Sequence, residues 1–114
     1  MRNLAIASAL TLALSSHGFA HDTGEFNDLR PEVRSKFFES PGIQICCAEA
    51  DGHRVSYRGN FEQGYEVEID GKWYAVSSEK VVTSPKNPTL EGIVWYMHRN
   101  GEIEVRCFSP ASGV

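Results

Sequence analysis

Three histidines are the residues best suited to hold a metal ion: His21, His53 and His98. Cleavage of the chain after Ala20 would leave His21 as the first residue, with its imidazole beside a free α-amine. These two nitrogen donors chelate Cu(II), and a second histidine would complete the site. The histidines lack the short spacings of a dedicated metal motif. Copper binding is therefore the alternative hypothesis, and the main hypothesis includes no cofactor.

The three cysteines, Cys46, Cys47 and Cys107, allow one disulfide. Adjacent residues are poor partners because their Cα atoms lie about 3.8 Å apart, below the roughly 4.4 Å of ordinary disulfides. We expect Cys107 to pair with Cys46 or Cys47, closing a loop of about 60 residues worth ~4 kcal/mol. The leftover cysteine is buried and inert, forms a disulfide-linked dimer, or makes the protein thiol-redox-responsive. Because the C-x-x-C spacing is absent, a structural disulfide is the preferred interpretation.

Two tryptophans, Trp73 and Trp95, are predicted to lie on the outer face of the sheet, opposite the apparent core. Exposed tryptophan next to carboxylates is suited to bind a sugar, a cation or a protein partner. The residues expected to line such a binding surface are Glu66, Glu68, Glu104 and Arg106. In the alternative interpretation, helix 28–39 or loop 83–91 covers both indoles and forms a second core with them.

No catalytic motif is present in the sequence. The patterns G-x-S-x-G and H-E-x-x-H and a Gly-rich phosphate loop are all absent. Carboxylates at strand spacing are ordinary surface residues, so they do not by themselves indicate acid–base catalysis. We therefore expect no enzyme, but a binding or interaction module whose partner is a protein or a small ligand.

Two hairpin turns should position these residues. Asp70-Gly71 and Asn100-Gly101 are dipeptides that tolerate the positive φ angles of a type I′ turn. A two-residue turn sets the register of both strands. In the last hairpin, the expected pairs farthest from the turn are Trp95 with Arg106 and Val94 with Cys107. The face expected to be core then consists of Val94, Tyr96, His98, Ile103, Val105 and Cys107.

Hydrophobic spacing predicts the remaining elements. A helix over residues 28–39, capped by Asp28, should be followed by a buried connector at 43–47. Strands are expected at 53–58, 65–69 and 72–76, then a helical turn or short strand at 77–82 and a loop at 83–91. The predicted fold class is α+β, mainly β: a short N-terminal helix followed by a small antiparallel meander of about five strands. The pattern is also compatible with a partly closed, SH3-like or roll-like sheet, and it does not decide between an open and a closed sheet.

The first 20 residues have the pattern of a cleaved signal peptide. Arg2 supplies a basic start, Leu4 to Leu14 an apolar run, and Gly18-Phe19-Ala20 a cleavage site with small residues at its first and third positions. We expect a periplasmic or secreted protein in which residues 21–114 form a single small disulfide-stapled β domain. Because the apolar run is too short to span a bilayer, no stable membrane insertion is expected.

The charge balance excludes some classes of partner. The formal net charge is −4, and removal of residues 1–20, which contain Arg2 and no acidic residue, makes it −5. An acidic chain without a cluster of Lys and Arg is unsuited to nucleic acid or to an anionic membrane surface. We therefore expect no nucleic-acid partner.

Several motifs resemble a group of small exported bacterial proteins that are described only as uncharacterised. They are Cys46-Cys47-x-x-x-Asp51-Gly52-His53, Asp70-Gly71-x-Trp73, Val94-Trp95-Tyr96 and Arg106-Cys107-Phe108-x-Pro110. The similarity covers most of the chain after residue 20. It implies export and a compact cystine-containing domain, and it brings no activity with it.

Overall fold

A computed structural model describes residues 24–112 of the chain. These residues form a mainly β structure with five antiparallel strands and two short helices, which agrees with the predicted α+β class. The elements are α1 (Pro31–Phe38), α2 (Pro41–Cys47), β1 (Gly52–Asn60), β2 (Gly64–Ile69), β3 (Lys72–Val76), a 3₁₀ turn (Ser78–Lys80), β4 (Gly92–Arg99) and β5 (Glu102–Ser109). The predicted signal peptide lies outside the described residues.

The strands form one curled, half-barrel sheet in the order β3-β2-β1-β4-β5. A simple meander would place β4 beside β3, so that part of the prediction is wrong beyond the third strand. After β3, the chain crosses to the far edge of the sheet, where Val81 forms a parallel bridge with Phe108 and the Val82 N–H donates to the Phe108 carbonyl at 2.8 Å. This crossing brings β4 next to β1 and makes β1 the central strand.

The β2–β3 hairpin has the predicted register. Its five pairs run from Ile69 opposite Lys72 to Tyr65 opposite Val76. The turn residues Asp70 and Gly71 have φ angles of 54° and 82°, which a type I′ turn requires. The local turn chemistry was therefore sufficient to place Trp73 opposite Glu68.

The β4–β5 hairpin follows the predicted register only near its turn. The pairs from Arg99–Glu102 to Tyr96–Val105 are as expected, but a β-bulge between Trp95 and Tyr96 shifts the rest. Trp95 therefore lies opposite Cys107, and not opposite Arg106 as predicted. Because one extra residue on β5 exchanges the two faces beyond the bulge, Cys107 leaves the predicted core face and joins Trp95 on the other side.

The concave face of the curled sheet holds one apolar core. Phe108 is fully buried at its centre, and the rings of Tyr57 and Tyr65 lie 5.1 and 5.2 Å from its ring. Residues from all five strands contribute, so the curl brings the two edges of the sheet onto one cluster. The buried members are Val55, Val67, Ile69, Val76, Val94 and Phe108.

The N-terminal part of the described chain contains two short helices rather than one longer helix. Asp28 is not the cap: α1 begins after Arg30, and Asp28 pairs with Arg54 at 2.8 Å. The segment expected to be a connector is α2, which has Pro41 at its first position, where proline is well tolerated. Both helices cover the outer side of β4 and form a second core there. Its buried members are Phe26, Phe37, Phe38, Ile43, Cys46, Cys47, Ile93, Trp95 and Cys107.

A disulfide joins the second core to the sheet. Cys46 of α2 is bonded to Cys107 of β5, with a Cα–Cα distance of 5.8 Å. This confirms that Cys107 pairs with one member of the adjacent cysteines and identifies Cys46 as that member. The predicted face of Cys107 was wrong, because Cys107 reaches Cys46 from the helix-covered face and not from the concave core.

Candidate functional site

A polar cleft lies at a gap in the sheet where β2 ends and β1 continues. The β1–β2 pairs run only from Ser56–Glu68 to Asn60–Gly64, whereas residues 52–55 of β1 pair with β4. Glu25, from the segment before α1, occupies this gap and accepts a hydrogen bond from the Arg54 backbone N–H at 3.0 Å. A backbone donor left without a strand partner is thus satisfied by a carboxylate.

The same carboxylate holds His53 in place. Glu25 Oε2 lies 2.5 Å from His53 Nδ1, while Oε1 accepts from the Arg54 backbone. With Nδ1 engaged, Nε2 is the ring nitrogen that remains for a ligand or a proton. The His53 and Tyr96 rings lie 5.5 Å apart, because both residues project from the concave faces of the neighbouring strands β1 and β4. We call this region the His53 cleft.

The His53 cleft is open, has a volume of about 230 Å³ and combines acidic and apolar groups. Burial raises the pKa of the Tyr96 hydroxyl, and the negative charges of Asp70 and Glu25 raise it further. The phenol therefore lies in a negative electrostatic field. The lining residues are Glu25, His53, Arg54, Val55, Glu68, Ile69, Asp70, Val94 and Tyr96.

The guanidinium of Arg54, which also lines the cleft, makes its contacts with Asp28, Phe26 and Glu91. Its Nη2 donates to both carboxylate oxygens of Asp28, at 2.8 and 3.0 Å. The guanidinium carbon lies 5.0 Å from the Phe26 ring centre, and Nε lies 3.6 Å from Glu91. Among the described residues, the ion pairs of the Arg54 guanidinium are therefore with Asp28 and Glu91, and not with the carboxylates that line the cleft.

Trp95 is not part of an exposed binding surface. Its side chain is 0% exposed and lies under the helices in the second core. The indole packs so closely on β1 that a Cβ at Gly52 would lie 2.9 Å from Nε1. The predicted surface centred on two tryptophans is therefore wrong for Trp95, and the alternative in which a helix covers this indole is correct.

Trp73 remains at the surface, with 38% of its area exposed, but an arginine stacks on it. The Arg58 guanidinium carbon lies 4.0 Å from the ring centre. Arg58 in turn donates from Nε to Glu66 at 2.7 Å. Arg58, Glu66 and Trp73 thus form a stacked group on three adjacent strands, and one face of the indole is already occupied.

The predicted rim residues Glu104 and Arg106 pair with each other rather than surround a tryptophan. Arg106 Nη1 lies 2.8 Å from Glu104 Oε2, and Arg99 Nε lies 2.6 Å from Glu104 Oε1. Arg106 Nε also donates to Glu49, which follows α2. This hydrogen bond lowers the pKa of Glu49 and raises that of Arg106. The network connects α2 to the last hairpin across an exposed surface.

The histidines are only partly brought together. His53 and His98 flank Tyr96, with the His98 ring 6.1 Å from the Tyr96 ring, while His21 lies outside the described residues. Within residues 24–112, no group of three or more His, Cys, Asp or Glu side chains could hold a metal ion. A metal site at His53 would therefore need a donor from the chain that precedes Gly24.

Cys47 is the leftover cysteine, and it is buried with no disulfide partner among the described residues. Burial raises its pKa from 9.0 to about 11, against a smaller lowering effect of the neighbouring Trp95 indole N–H. A thiol that is buried and protonated reacts slowly. This environment opposes both a redox role and an intermolecular disulfide at Cys47.

Sequence reasoning missed Glu25, Asp70 and Tyr96 as parts of one site. Tyr96 was assigned to the core and Asp70 to a turn, and both assignments agree with the structure. Glu25 precedes the first predicted helix, and nothing local in the sequence shows that its carboxylate replaces a missing strand beside β1. The only available signal was the early end of β2 at Asp70-Gly71, which leaves residues 52–55 without a second neighbour.

The chain matches no protein-family model, no curated protein and no solved structure. Within residues 24–112, the two helices are too short to cross a membrane.

Proposed function

We propose that this chain is an exported binding domain that takes a cationic group, an ammonium or a guanidinium, into the His53 cleft. The single observation that carries the proposal is that three carboxylates, Glu25, Glu68 and Asp70, line one cleft together with Tyr96. Burial raises the pKa of the Tyr96 hydroxyl, and the charges of Asp70 and Glu25 raise it further. A field that disfavours a phenolate favours a cation at the same place. The Tyr96 ring offers a surface on which such a cation can stack.

The support for preorganisation comes from the hydrogen bonds of Glu25. One carboxylate joins the histidine side chain and the backbone of the next residue, so its position is set by β1. A ligand would meet acidic groups that are already in place and would not need to order them. This proposal replaces the tryptophan surface, since Trp95 is buried and Trp73 is stacked under Arg58.

The test is a titration followed by amide chemical shifts in two-dimensional NMR. Propylammonium and guanidinium should shift the amides of residues 53–55 and 94–97, whereas propionate should not. Asp70→Asn should weaken amine binding about fivefold, the equivalent of ~1 kcal/mol for one lost partner charge near the surface. Asparagine tolerates the positive φ of position 70, so the turn is retained.

The matched control is Glu62→Gln, which removes one carboxylate from the exposed β1–β2 loop and from no part of the cleft. It should leave amine binding unchanged. Equal shifts with propionate and propylammonium, or equal losses in both variants, would refute the proposal.

A second candidate function, Cu(II) binding, is favoured by one specific observation. Glu25 engages His53 at Nδ1, which is the arrangement that presents the other ring nitrogen to a metal. His21 precedes Glu25 by only four residues, so extended chain can separate their Cα atoms by at most about 14 Å. After cleavage following Ala20, the His21 amine and imidazole would be the added donors, and Cu(II) suits such nitrogen ligands.

The copper candidate is tested with two versions of the protein, one that begins at His21 and one that carries an extra alanine before it. The first should bind one Cu(II) tightly, and the second should lose most of that affinity because its terminal amine is displaced. His53→Ala should also weaken binding, whereas His98→Ala is the control. Equal affinities in all versions would indicate adventitious binding only. Amine binding in the His53 cleft needs no free N-terminus, so the two candidates fail independently.

A further inference from the structure

An apolar groove with basic residues at its rim lies between α1 and the loop that precedes β4. Its volume is about 300 Å³, at the lower end of the range for small-molecule sites. Phe37, which is 3% exposed, forms the floor. We call it the proline groove, and its lining residues are Val33, Lys36, Phe37, Pro85, Lys86 and Pro88.

One wall of the proline groove is the loop that contains Pro85 and Pro88, and buried Asn87, which is 2% exposed, holds this loop in place. Its side-chain amide donates to the Glu91 carbonyl at 2.9 Å and to the Ser109 carbonyl at 3.0 Å. Its side-chain oxygen accepts from the backbone N–H and the hydroxyl of Thr89. The two prolines on either side of this anchor are therefore fixed to β5, and the groove is preformed.

The second wall of the proline groove is formed by α1, beside α2. A Cβ at Gly42 of α2 would lie 3.2 Å from the Ser84 carbonyl, so the helices and the loop are in close contact at one end of the groove. On the α1 side, Lys36 occupies the last turn and Val33 the turn before it. A ligand in this groove would contact two prolines, a valine and a phenylalanine without displacing backbone.

The charges at the rim are unpaired. Within residues 24–112, no carboxylate lies within ion-pair distance of Lys36 or Lys86, whereas Arg54, Arg58, Arg99 and Arg106 all have such partners. Both lysines are exposed. Two unpaired cations beside an apolar floor, in a chain of net negative charge, complement a ligand that has an apolar body and an anionic head.

We propose that the proline groove binds a small amphiphilic carboxylate, such as a medium-chain alkanoate. The apolar body lies on Phe37 between Val33 and the two prolines, and the carboxylate lies between Lys36 and Lys86. This site is separate from the His53 cleft, with which it shares no residue, and it selects the opposite charge.

The experiment is calorimetric titration of the full mature chain with hexanoate, octanoate and octylammonium at low ionic strength. Octanoate should bind more tightly than hexanoate, by about threefold to fourfold per methylene, because each buried methylene adds apolar transfer energy. Octylammonium has the same body with the opposite charge, and it should bind at least about tenfold more weakly. Amide shifts on octanoate addition should fall at residues 33–37 and 85–88.

The matched variants remove two lysines each. Lys36→Gln with Lys86→Gln should weaken octanoate binding about tenfold and reduce its dependence on salt. Lys72→Gln with Lys80→Gln removes the same charge from residues outside the proline groove and should have no effect. Equal binding of octanoate and octylammonium, equal loss in both double variants, or no binding of octanoate at millimolar concentration would overturn the proposal.

Discussion

At the scale of single residues, Trp73 and Trp95 show that a tryptophan on one face of a sheet can belong to a core at one position and remain at the surface at another. Trp95 is fully buried under α1 and α2, whereas Trp73 is 38% exposed and contacts Arg58. Both residues lie on the side of the sheet away from the concave core. Coverage by the helices, and not the position in the strand, decides which indole belongs to a core.

The first prediction compares the two tryptophans by urea denaturation. Trp95→Ala should lower the free energy of unfolding by about 3–5 kcal/mol, because it empties a closed site in the second core. Trp73→Ala should lower it by about 1 kcal/mol, since it removes an exposed stack on Arg58. Similar losses in both variants would contradict the assignment of Trp95 alone to the second core.

The second prediction concerns Cys47. Its pKa of about 11 means that, near pH 8, its thiolate fraction is roughly 100-fold lower than that of an ordinary thiol with a pKa of 9.0. Alkylation of native protein by iodoacetamide should therefore be at least about 100-fold slower than alkylation in urea. Rapid labelling of the native protein at pH 8 would refute this.

The raised pKa of Cys47 also sets a pH dependence. Because the folded pKa lies above the unfolded value of 9.0, the folded state retains its proton when the unfolded state loses it. The free energy of unfolding should thus fall as pH rises from 9 towards 11 and level off above the folded pKa. Cys47→Ala should remove this contribution, which denaturation curves at several pH values would show.

At the scale of elements, the β-bulge between Trp95 and Tyr96 decides how the helices are attached to the sheet. It turns Trp95 and Cys107 to the same side of the sheet, where α2 carries Cys46. Without the extra residue in β5, Cys107 would face the concave core and could not reach the helices. The bulge and the disulfide together attach α2 to the sheet.

The third prediction tests this attachment. Replacement of Cys46 and Cys107 by serine opens a loop with a sequence separation of 61. The free energy of unfolding should fall by up to about 4 kcal/mol, because the unfolded chain gains conformational freedom. Amide hydrogen exchange should speed up first in α1 and α2, since β1 to β5 keep their own pairing. Cys47→Ala, which leaves the disulfide intact, is the control, and uniform acceleration across the sheet would contradict the expectation.

At the scale of the whole molecule, the two cores lie on opposite sides of one sheet. Neighbouring residues of β4 contribute to both, with Val94 in the concave core and Ile93 and Trp95 in the second core. Loss of either core should therefore remove support from the same strand. This arrangement favours cooperative unfolding of the described residues.

The fourth prediction follows from the shared strand. In a Trp73→Phe background, fluorescence reports on Trp95 and hence on the second core, while far-UV circular dichroism reports mainly on the sheet. With the disulfide intact, the two signals should give the same urea midpoint, as expected for a two-state transition. A fluorescence transition at clearly lower urea concentration would show that the helices separate before the sheet unfolds.

The sequence by itself determined the features that depend on neighbouring residues. The dipeptides at 70–71 and 100–101 specified both hairpins, and alternation of apolar residues identified most of the concave core. A two-residue turn needs only its own backbone angles, so local chemistry is enough to define it. The pairing of Cys107 with one of the adjacent cysteines also followed, because an adjacent bridge has poor geometry.

The tertiary structure alone decided the strand order, the bulge, the covering of Trp95 and the His53 cleft. Each of these depends on groups far apart in the chain: Glu25 contacts His53, and Cys46 bonds to Cys107. A strand pattern has a period of two and contains no sign of where an extra residue will shift it. The faces therefore exchanged beyond Tyr96. Trp95, predicted to belong to a binding surface, joined a second core because two short helices bury their apolar sides against β4.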